Sequence, residues 1–401
     1  MSPTPVTYVS PTQPASYSWE ATDEEVAARY GVDPATIVRF DLNTSPQPPG
    51  LAAELLAAGR FETPLSEYPP SDYRRLVAAA AAAYGVEPDE ILVGAGADEI
   101  LDLVGKTFLP PGGEAVVPAP TYAMYRVITE QRGARCVAVP RCGPDEAWAM
   151  DIDAVRAAAR SAAVVWLCSP NNPTGLPEPD GAVEKLLAGL ATDAVADGRE
   201  PPTVVLDEAY AEFVDASLLP LRLAHPNLVV VRTASKAYAL AGLRVGFAIA
   251  RPETIARMAP YRPPGSVSTV SVTVVTEAFV RPDAMRANVT RVAAERTRLA
   301  AGLADAGWVV GPSVTNFLLV TFADPPAAAA AADALLRRGL VPRTFGAHHP
   351  LAASLRLTVR DTAENDRLIA AARAAARGAS AAAGDDPAAA RVDPATARVD
   401  R

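Results

Sequence analysis

Lys236 is the residue of this chain whose type and surroundings best suit covalent chemistry. Lysine occurs only at positions 106, 185 and 236, and the other 34 of the 37 lysines and arginines are arginines. Arginine keeps its proton at any useful pH, whereas a partly desolvated lysine has a lowered pKa and can attack an aldehyde. An apolar strand leads into Lys236 and an Ala-, Leu- and Gly-rich segment follows it. The sequence therefore predicts a reactive amine here and not a solvated surface charge.

Polar residues close to this lysine suit a phosphate group. Thr233 and Ser235 carry hydroxyls beside it, and Arg244 lies eight positions after it. A second candidate is the segment GAGADE at residues 94–99, because glycines before a helix let the backbone approach an anion at the helix N-terminus. The dinucleotide fingerprint G-x-G-x-x-G fails there, since a glutamate stands in place of the third glycine. By itself this segment predicts either an anion site or only a tight strand–helix turn.

Two more polar side chains follow predicted strands. Asn172 lies in the turn SPNNPTG at residues 169–175, and Asp207 emerges at the end of an apolar strand. Open parallel sheets bind ligands outside the carboxyl ends of their strands, so both side chains are candidates for one crevice. Asn172 is either a hydrogen-bond donor there or part of a rigid turn alone. A buried carboxylate needs a partner such as a protonated ring nitrogen, although Asp207 also suits the N-cap of a following helix.

The elements that must position these residues form an alternating α/β pattern. Short β-branched strands alternate with apolar helical stretches between about residues 51 and 260, which predicts a parallel sheet. Its predicted strands cover residues 91–96, 114–118, 164–170, 203–209 and 228–235. A smaller α+β unit follows, with a long helical region at about 270–306, strands at 308–322, 340–345 and 354–360, and helices at 325–338 and 362–377.

The predicted organisation has five segments. Both termini have low-complexity composition, with Pro, Ser and Thr at the start and Ala, Asp, Pro and Arg without an aromatic residue at the end. The segments are a flexible N-terminal arm at 1–18, an N-terminal segment contributing to the small domain at 19–50, a large cofactor-binding domain at 51–270, a small C-terminal domain at 271–377 and a disordered tail at 378–401.

Composition argues against several classes of function. The net charge of −9 and the pI of about 5.1 disfavour nucleic acid, whose phosphates need a basic face. Three cysteines without a CxxC pair, together with three histidines, indicate neither a disulfide framework nor a metal site. No apolar run reaches the ~18–20 residues that cross a bilayer, and the N-terminus lacks a signal-peptide pattern. We therefore expect a cytoplasmic protein without a metal, nucleic-acid or membrane partner.

Four segments in this order resemble the class I/II aminotransferases of pyridoxal 5′-phosphate (PLP) fold type I: GAGADE, SPNNPTG, VVLDEAY and RTASKAYALAGLRVGF. Within that family the chain is most similar to the histidinol-phosphate aminotransferases, which share the RT-x-SKA-[FY]-x-LAGLR run, PTYAMY at 120–125 and SEYP at 66–69. The resemblance covers roughly residues 20–377. It implies PLP as cofactor, a large domain with a mostly parallel seven-stranded sheet and a smaller α+β C-terminal domain.

The resemblance also implies a role for each matching residue around PLP. Lys236 would form the Schiff base and shuttle protons, Asp207 would pair with the pyridinium nitrogen, and Tyr122 would stack on the ring. The other implied cofactor contacts are Tyr210 and Asn172 at the phenolic oxygen, and the backbone of Ala97 and Asp98, the hydroxyls of Thr233 and Ser235, and Arg244 at the phosphate.

Four further residues are assigned by the resemblance to the substrate and to a second subunit. Arg356 would clamp the substrate carboxylate, Arg343 would contact the distal end of the substrate, and Asn43 would lie near it. Tyr68 resembles a tyrosine that reaches the neighbouring subunit's cofactor phosphate, which implies a homodimer. The implied partners are a small-molecule amino donor and a 2-oxo acid acceptor, such as 2-oxoglutarate.

Three stretches depart from the family pattern on the substrate side. Residues 43–46 read NTSP in place of Asn-Glu-Asn-Pro. Residues 263–268 read PPGSVS in place of Pro-aromatic-Asn-Val-Asn, and residues 359–362 read VRDT in place of Val-Gly-Thr. These departures indicate either neutral drift or a substrate other than histidinol phosphate.

The same stretches keep other reactions open beside transamination. The run at 262–267 and the Val-Arg near residue 360 also resemble threonine-phosphate decarboxylases, which share the fold and the cofactor. A biosynthetic enzyme that catalyses replacement or carbon–carbon bond formation is a further alternative. A non-catalytic PLP-binding regulator is disfavoured, because regulators of this fold carry an added DNA-binding domain and this chain is acidic.

Overall fold

The computed structural model describes residues 6–8, 16–214 and 216–384. Its α-helices are α1 Asp23–Tyr30, α2 Gly50–Ala58, α3 Arg74–Tyr84, α4 Gly96–Phe108, α5 Met124–Gln131, α6 Ile152–Ala158, α7 Ala182–Ala196, α8 Pro252–Met258, α9 Thr269–Val280, α10 Asp283–Ala304, α11 Pro325–Leu336 and α12 Thr362–Gly384. Its strands are β1 Val6–Tyr8, β2 Val38–Arg39, β3 Ile91–Gly94, β4 Glu114–Ala119, β5 Arg135–Pro140, β6 Val164–Cys168, β7 Thr203–Asp207, β8 Leu228–Thr233, β9 Gly246–Ile249, β10 Val309–Val310, β11 Phe317–Thr321, β12 Leu340–Val341 and β13 Ser354–Thr358. Among the described residues, no helix is both long and apolar enough to span a bilayer.

The large sheet has the order β1-β5-β4-β6-β7-β8-β9-β3. The five strands from β5 to β8 in this order are parallel, while β9 runs antiparallel to both its neighbours and β1 runs antiparallel to β5. The prediction of a mostly parallel sheet is confirmed. The predicted strand number was wrong, because Val6–Tyr8 adds an eighth strand at the edge.

Strands β6, β7 and β8 are apolar on both faces because helices cover both sides of the sheet. Alternate residues of β6 enter different cores, with Leu167 on the side of α3, α7 and α9 and Trp166 on the side of α4, α5 and α8. The register pairs Cys168 at the end of β6 with Asp207 at the end of β7. The carboxyl ends of these parallel strands therefore meet at one edge of the sheet, as the sequence predicts.

The smaller unit combines two short sheets with three helices. Strands β10, β11 and β13 pair antiparallel, and β12 pairs in parallel with β2 from the N-terminal part of the chain. Phe40, Leu299 and Leu318 lie in its core between these sheets and α10, α11 and α12. The smaller α+β unit that the resemblance implies is confirmed.

Several element boundaries differ from the predicted ones. The helical region expected at 270–306 is two helices, interrupted at Pro282, whose ring and missing N–H oppose a continuous helix. Helix α9 packs in the core of the large sheet, so that core extends about ten residues beyond the predicted boundary at 270. Helix α12 continues to Gly384 through alanine-rich sequence, past the predicted start of the tail. The rest of the predicted arm, residues 1–5 and 9–15, and the rest of the tail, residues 385–401, lie outside the described residues.

Candidate active site

A cavity of about 470 Å³ lies where β6, β7 and β8 end and helix α4 begins. It collects side chains from the large sheet, the smaller unit and the N-terminal segment. Of the predicted site residues, those lining it are Asn43, Ala97, Asp98, Tyr122, Asn172, Asp207, Tyr210, Thr233, Ser235, Lys236, Arg244 and Arg356. Arg343 and Tyr68 are the two predicted site residues that do not line it.

Lys236 places its amine in this cavity three residues after β8 ends. Its Nζ donates to the backbone carbonyl of Asn43 at 3.2 Å, with the carbonyl of Leu42 at 3.5 Å. Burial, and secondly the charge of Arg356, lower the pKa of Lys236 to about 8. About a tenth of this amine is therefore neutral and nucleophilic at pH 7.

Asp207 is the last residue of β7, and its carboxylate is buried. Oδ2 accepts a hydrogen bond from the hydroxyl of Tyr125 at 2.8 Å, and Oδ1 accepts one from the backbone N–H of Ala209 at 3.0 Å. Burial raises the pKa of Asp207 to about 6, while these two hydrogen bonds act in the opposite direction. The carboxylate is thus positioned to hold a cationic partner inside the cavity.

The N-terminus of α4 forms the anion-suited end of the cavity. Gly96 has φ +85°, a conformation that favours glycine, and its lack of a Cβ leaves room for the guanidinium of Arg244. Arg244 contacts Asp98 at 3.2 Å, and the Tyr122 hydroxyl donates to the other oxygen of Asp98 at 3.0 Å. The helix start and a guanidinium converge here, which suits an anion.

The hydroxyls predicted beside the lysine form a tight pair at the end of β8. Thr233 donates to Ser235 at 2.9 Å, and the backbone N–H of Ser235 donates back to the Thr233 hydroxyl at 3.1 Å. Both residues are buried and both line the cavity. Thr233 and Ser235 therefore line the same cavity as Lys236.

Arg356 reaches the cavity from β13 of the smaller unit. It donates to the side-chain oxygen of Asn172 at 2.5 Å and to the backbone carbonyl of Asp41. Its Nε is buried and has no hydrogen-bond partner among the described residues. Asn43, with φ 53°, donates through its side chain to the Tyr210 hydroxyl at 3.0 Å. The buried guanidinium of Arg356, with its unsatisfied Nε–H, suits an incoming carboxylate.

Arg343 holds the N-terminal rim of the cavity, which we define as residues 17–20. It donates to the Ser18 carbonyl at 2.7 Å, lies 3.6 Å from the Glu20 carboxylate and stacks over the Tyr17 ring at 5.3 Å. Glu20 also accepts from the backbone N–H of Thr344 at 2.8 Å. In this structure Arg343 therefore contacts the rim, whereas the resemblance implies that it contacts the substrate.

Tyr68 lies outside the cavity of this single chain, with 89% of its surface exposed. The family resemblance assigns it to a neighbouring subunit's site, so exposure in one chain is what that assignment requires. The three departing stretches also lie mostly outside the cavity: Ser45 bonds Asn288, Ser266 bonds Glu99, and Arg360 pairs with Glu364. Within these stretches only Asn43 and Thr44 line the cavity.

Several residues in or next to the cavity were not predicted as site residues. Tyr17 and Trp19 belong to the rim, and Asp41 presents its backbone carbonyl to Arg356. Tyr125 reaches Asp207 from α5 without lining the cavity itself. Its position three residues after Tyr122 in PTYAMY, a segment that resembles the family, is the one sequence signal that pointed to it.

The donor set of the cavity fits PLP. A cofactor with an aldehyde, a ring nitrogen and a phosphate needs an amine, an acid and an anion site, and Lys236, Asp207 and the α4 N-terminus with Arg244 supply these three groups. They surround one cavity, and each lies at the end of an element of the large sheet or its helices.

Comparisons with known proteins agree with this geometry. The aminotransferase class I and II family matches residues 42–371. The histidinol-phosphate aminotransferase of Roseiflexus castenholzii is 36% identical over 354 residues, covering 86% of this chain and 91% of the relative. That of Stenotrophomonas maltophilia is 39% identical over 321 residues, covering 77% and 85%.

The fold comparison points the same way. The crystal structure of histidinol-phosphate aminotransferase from Sinorhizobium meliloti in complex with PLP superposes with a TM-score of 0.79 at 27% identity, covering 90% of this chain and 96% of that one. Sequence match, fold and donor set therefore agree, and the chain belongs to the class I and II aminotransferases as a PLP-dependent enzyme of fold type I.

Proposed function

We propose that this enzyme transfers an amino group between an amine substrate that carries an anionic group and a 2-oxo acid. Lys236 would bind the cofactor covalently and would move the proton. One observation carries the proposal: Lys236, Asp207 and Arg356, from three different elements, face one cavity. The amine can react with an aldehyde, the acid can hold a cation, and the guanidinium can hold a carboxylate. Amino transfer with PLP requires these three functions from the protein.

The cofactor would be held by residues of the large sheet. Bound PLP supplies an electron sink for the charge that develops at the reacting carbon. Asp207 would hold the ring nitrogen in its protonated form, and Tyr122 would pack against the ring face. The remaining proposed contacts are Tyr210 and Asn172 at the phenolic oxygen, and Ala97, Asp98, Thr233, Ser235 and Arg244 at the phosphate.

Lys236 would act as the base at the substrate carbon once the substrate amine has taken its place on the cofactor. Its pKa of about 8 supports this role, because a general base works best when its pKa lies near the operating pH. The backbone carbonyls of Leu42 and Asn43 lie within reach of the amine and would steady it in its protonated form. Lys236 would hold the proton at its Nζ and release it again later in the reaction.

The amino donor would bind on the side of the cavity formed by Arg356 and the rim. Arg356 would hold its anionic group, supported by the unsatisfied buried Nε. Tyr17 and Trp19, whose rings lie 4.8 Å apart edge to face, would pack against an aromatic or heterocyclic donor. L-Histidinol phosphate, the substrate named for the relatives at 34–39% identity, has both features and is the first donor to test.

We also propose that the enzyme is a homodimer in which Tyr68 completes the partner's site. Tyr68 is almost fully exposed, as are Leu65 nearby and, to a lesser degree, Leu56. Exposed large apolar and aromatic side chains such as these support an interface between two copies, which would cover them. The cytoplasm is the proposed location, supported by three cysteines that are all unpaired, as in a reducing compartment.

Borohydride labelling tests the assignment of Lys236 directly. The protein is incubated with PLP, reduced with borohydride and digested, and the modified lysine is identified by mass spectrometry. Because the chain has only three lysines, Lys106 and Lys185 serve as internal controls. Label on Lys236 alone supports the proposal, and label elsewhere or no label would refute it.

A panel of amino donors tests the reaction itself. The PLP-loaded enzyme is mixed without acceptor with L-histidinol phosphate, aromatic amino acids and phosphorylated amino acids. Formation of pyridoxamine phosphate supports amino transfer and ranks the donors. Release of CO2 without pyridoxamine phosphate would instead establish a decarboxylase.

A further inference from the structure

Tyr125 is fully buried on α5, and its hydroxyl points to the acid at the end of β7. The hydroxyl donates to Oδ2 of Asp207 at 2.8 Å, while Oδ1 is already occupied by the N–H of Ala209. We infer that Tyr125 is a positioning residue that keeps Asp207 ionised and aimed at the cofactor ring nitrogen. This inference rests on the proposed role of Asp207 and adds a residue to it.

The ring of Tyr125 is fixed from both sides. Trp166 stacks on it with ring centroids 5.7 Å apart and an interplanar angle of 6°, and Tyr122 meets it edge to face at 5.7 Å and 87°. The indole N–H of Trp166 donates to the hydroxyl of Thr129 at 3.1 Å, and that hydroxyl donates to the Tyr125 carbonyl at 2.7 Å. The phenol therefore cannot swing away from Asp207 without disrupting aromatic packing.

The same ring links the acid to the proposed cofactor-stacking residue. Tyr122, which lines the cavity, contacts Tyr125 on one side and donates to Asp98 on the other. Tyr125 thus sets both the direction of the Asp207 carboxylate and the tilt of the Tyr122 ring. One side chain orients two groups on which the cofactor ring would depend.

The electrostatics of the site explain why Asp207 needs this hydrogen bond. Burial is the largest influence on its pKa and favours the neutral acid, which could not hold a protonated ring nitrogen. A hydrogen bond from Tyr125 to the carboxylate favours the ionised form. The titratable groups that face Asp207 from the surrounding elements are Asp98 on α4, Tyr125 on α5, Cys168 on β6, and Tyr210 and Lys236 after β7 and β8.

Tyr84 provides a matched control within the same chain. Its hydroxyl is also buried, but it has no hydrogen-bond partner among the described residues. It packs in the opposite core of the sheet against Phe247 and Phe279. Replacing it by phenylalanine removes a buried hydroxyl without touching Asp207.

The test compares PLP with its deaza analogue, in which carbon replaces the ring nitrogen. Dissociation constants for both are measured at pH 7 on apo-protein of wild type, Tyr125→Phe, Tyr84→Phe and Asp207→Asn. We expect Tyr125→Phe to weaken PLP binding about tenfold and to change binding of the analogue less than about twofold. Tyr84→Phe should change neither. Equal weakening of both cofactors by Tyr125→Phe would show a merely structural role and overturn the inference.

Two further variants keep the outcome decisive. In an Asp207→Asn background, Tyr125→Phe should add less than about a twofold effect on PLP, because the group it acts through is gone. If Tyr125→Phe does not fold, 3-fluorotyrosine at position 125, a stronger donor of the same shape, should tighten PLP binding about twofold and leave the analogue unchanged. If fluorination has no effect on PLP binding, the inference is wrong.

The Asp207→Asn protein separates failure of this inference from failure of the proposed function. Selective loss of PLP over the analogue supports the role proposed for Asp207. If that variant does not distinguish the two cofactors, the assignment of Asp207 fails and the role of Tyr125 falls with it. If it does distinguish them and Tyr125→Phe does not, only the inference about Tyr125 fails.

Discussion

The side of the cavity assigned to the cofactor is carried by the large sheet, whereas the side assigned to the substrate is assembled from loops and from the smaller unit. Asp207, Thr233 and Ser235 directly follow or end buried strands and are themselves buried. On the other side, Trp19 is 71% exposed on the rim, and Arg343 is engaged with that rim. Rigid strand ends can hold a permanent cofactor, while a rim of loop residues can differ between enzymes of different specificity.

The largest effect should come from Lys236→Ala on the cofactor side. Loss of the amine removes both the covalent link and the proposed base, so turnover should fall by at least about 10⁴-fold. Steady-state kinetics with the best donor of the panel measures this loss. Lys185→Ala, at an exposed lysine, is the matched control and should keep full activity. Retained turnover in the Lys236 variant would contradict the assignment of the catalytic amine to the cofactor side.

Arg356→Lys should produce the largest effect confined to the substrate side. A lysine keeps the charge but cannot bind a carboxylate through two parallel hydrogen bonds, so kcat/KM should fall about 100-fold. The dissociation constant for PLP should stay within about threefold of wild type, since no cofactor contact is removed. Arg286→Lys, at an exposed arginine, controls for the substitution itself. A large loss of PLP affinity would show that the two sides are not separable.

The pH dependence of cofactor capture should report the lowered pKa of Lys236. Only the neutral amine attacks the aldehyde, so the capture rate should rise about tenfold per pH unit up to about pH 8 and then level off. An ordinary lysine would continue to gain reactivity up to about pH 10.4. Stopped-flow absorbance of apo-protein mixed with PLP measures the profile. A rise that continues past pH 9 would contradict the desolvated setting of Lys236.

Arg343→Gln should have the smallest effect of the four predictions made here for the two sides of the cavity. It releases the Ser18 carbonyl and the Glu20 carboxylate, which loosens the rim without touching strand-end residues. KM for the donor should rise about threefold to tenfold, because partly exposed ion pairs contribute little. The dissociation constant for PLP should not change. A loss as large as that of Arg356→Lys would mean that Arg343 binds substrate itself.

The cofactor side was accessible to sequence reasoning because each of its residues sits at a fixed distance from a recognisable apolar strand. Asp207 and Lys236 follow runs of β-branched residues, and Gly96 and Arg244 lie in motifs that resemble a known family. The strands β5 and β9 were missed, and the second of them, GFAI, merges with the motif around Arg244. The register that aligns Cys168 with Asp207 is a property of the assembled sheet.

The substrate side was less accessible because its contacts join residues far apart in the chain. Arg343 meets Ser18 across 325 positions, and the Asn43 backbone meets the hydroxyl of Thr358 across 315. Arg356 was identified only by resemblance. The local sequence does not indicate that Asn172 and the Asp41 carbonyl are its hydrogen-bond partners. Tyr125 reads as an ordinary buried helix residue until the fold brings it against Asp207.

Amino-acid order alone determined the reactive amine, the acid and the anion-suited helix start, because local patterns decide where strands end and helices begin. Three contacts were decided by the tertiary structure alone. The Tyr125 hydroxyl donates to one oxygen of Asp207, and the Arg343 guanidinium contacts the rim. The Lys236 amine lies against two backbone carbonyls. Directional contacts between distant segments depend on how the two units and the N-terminal segment pack, and no local pattern encodes that packing.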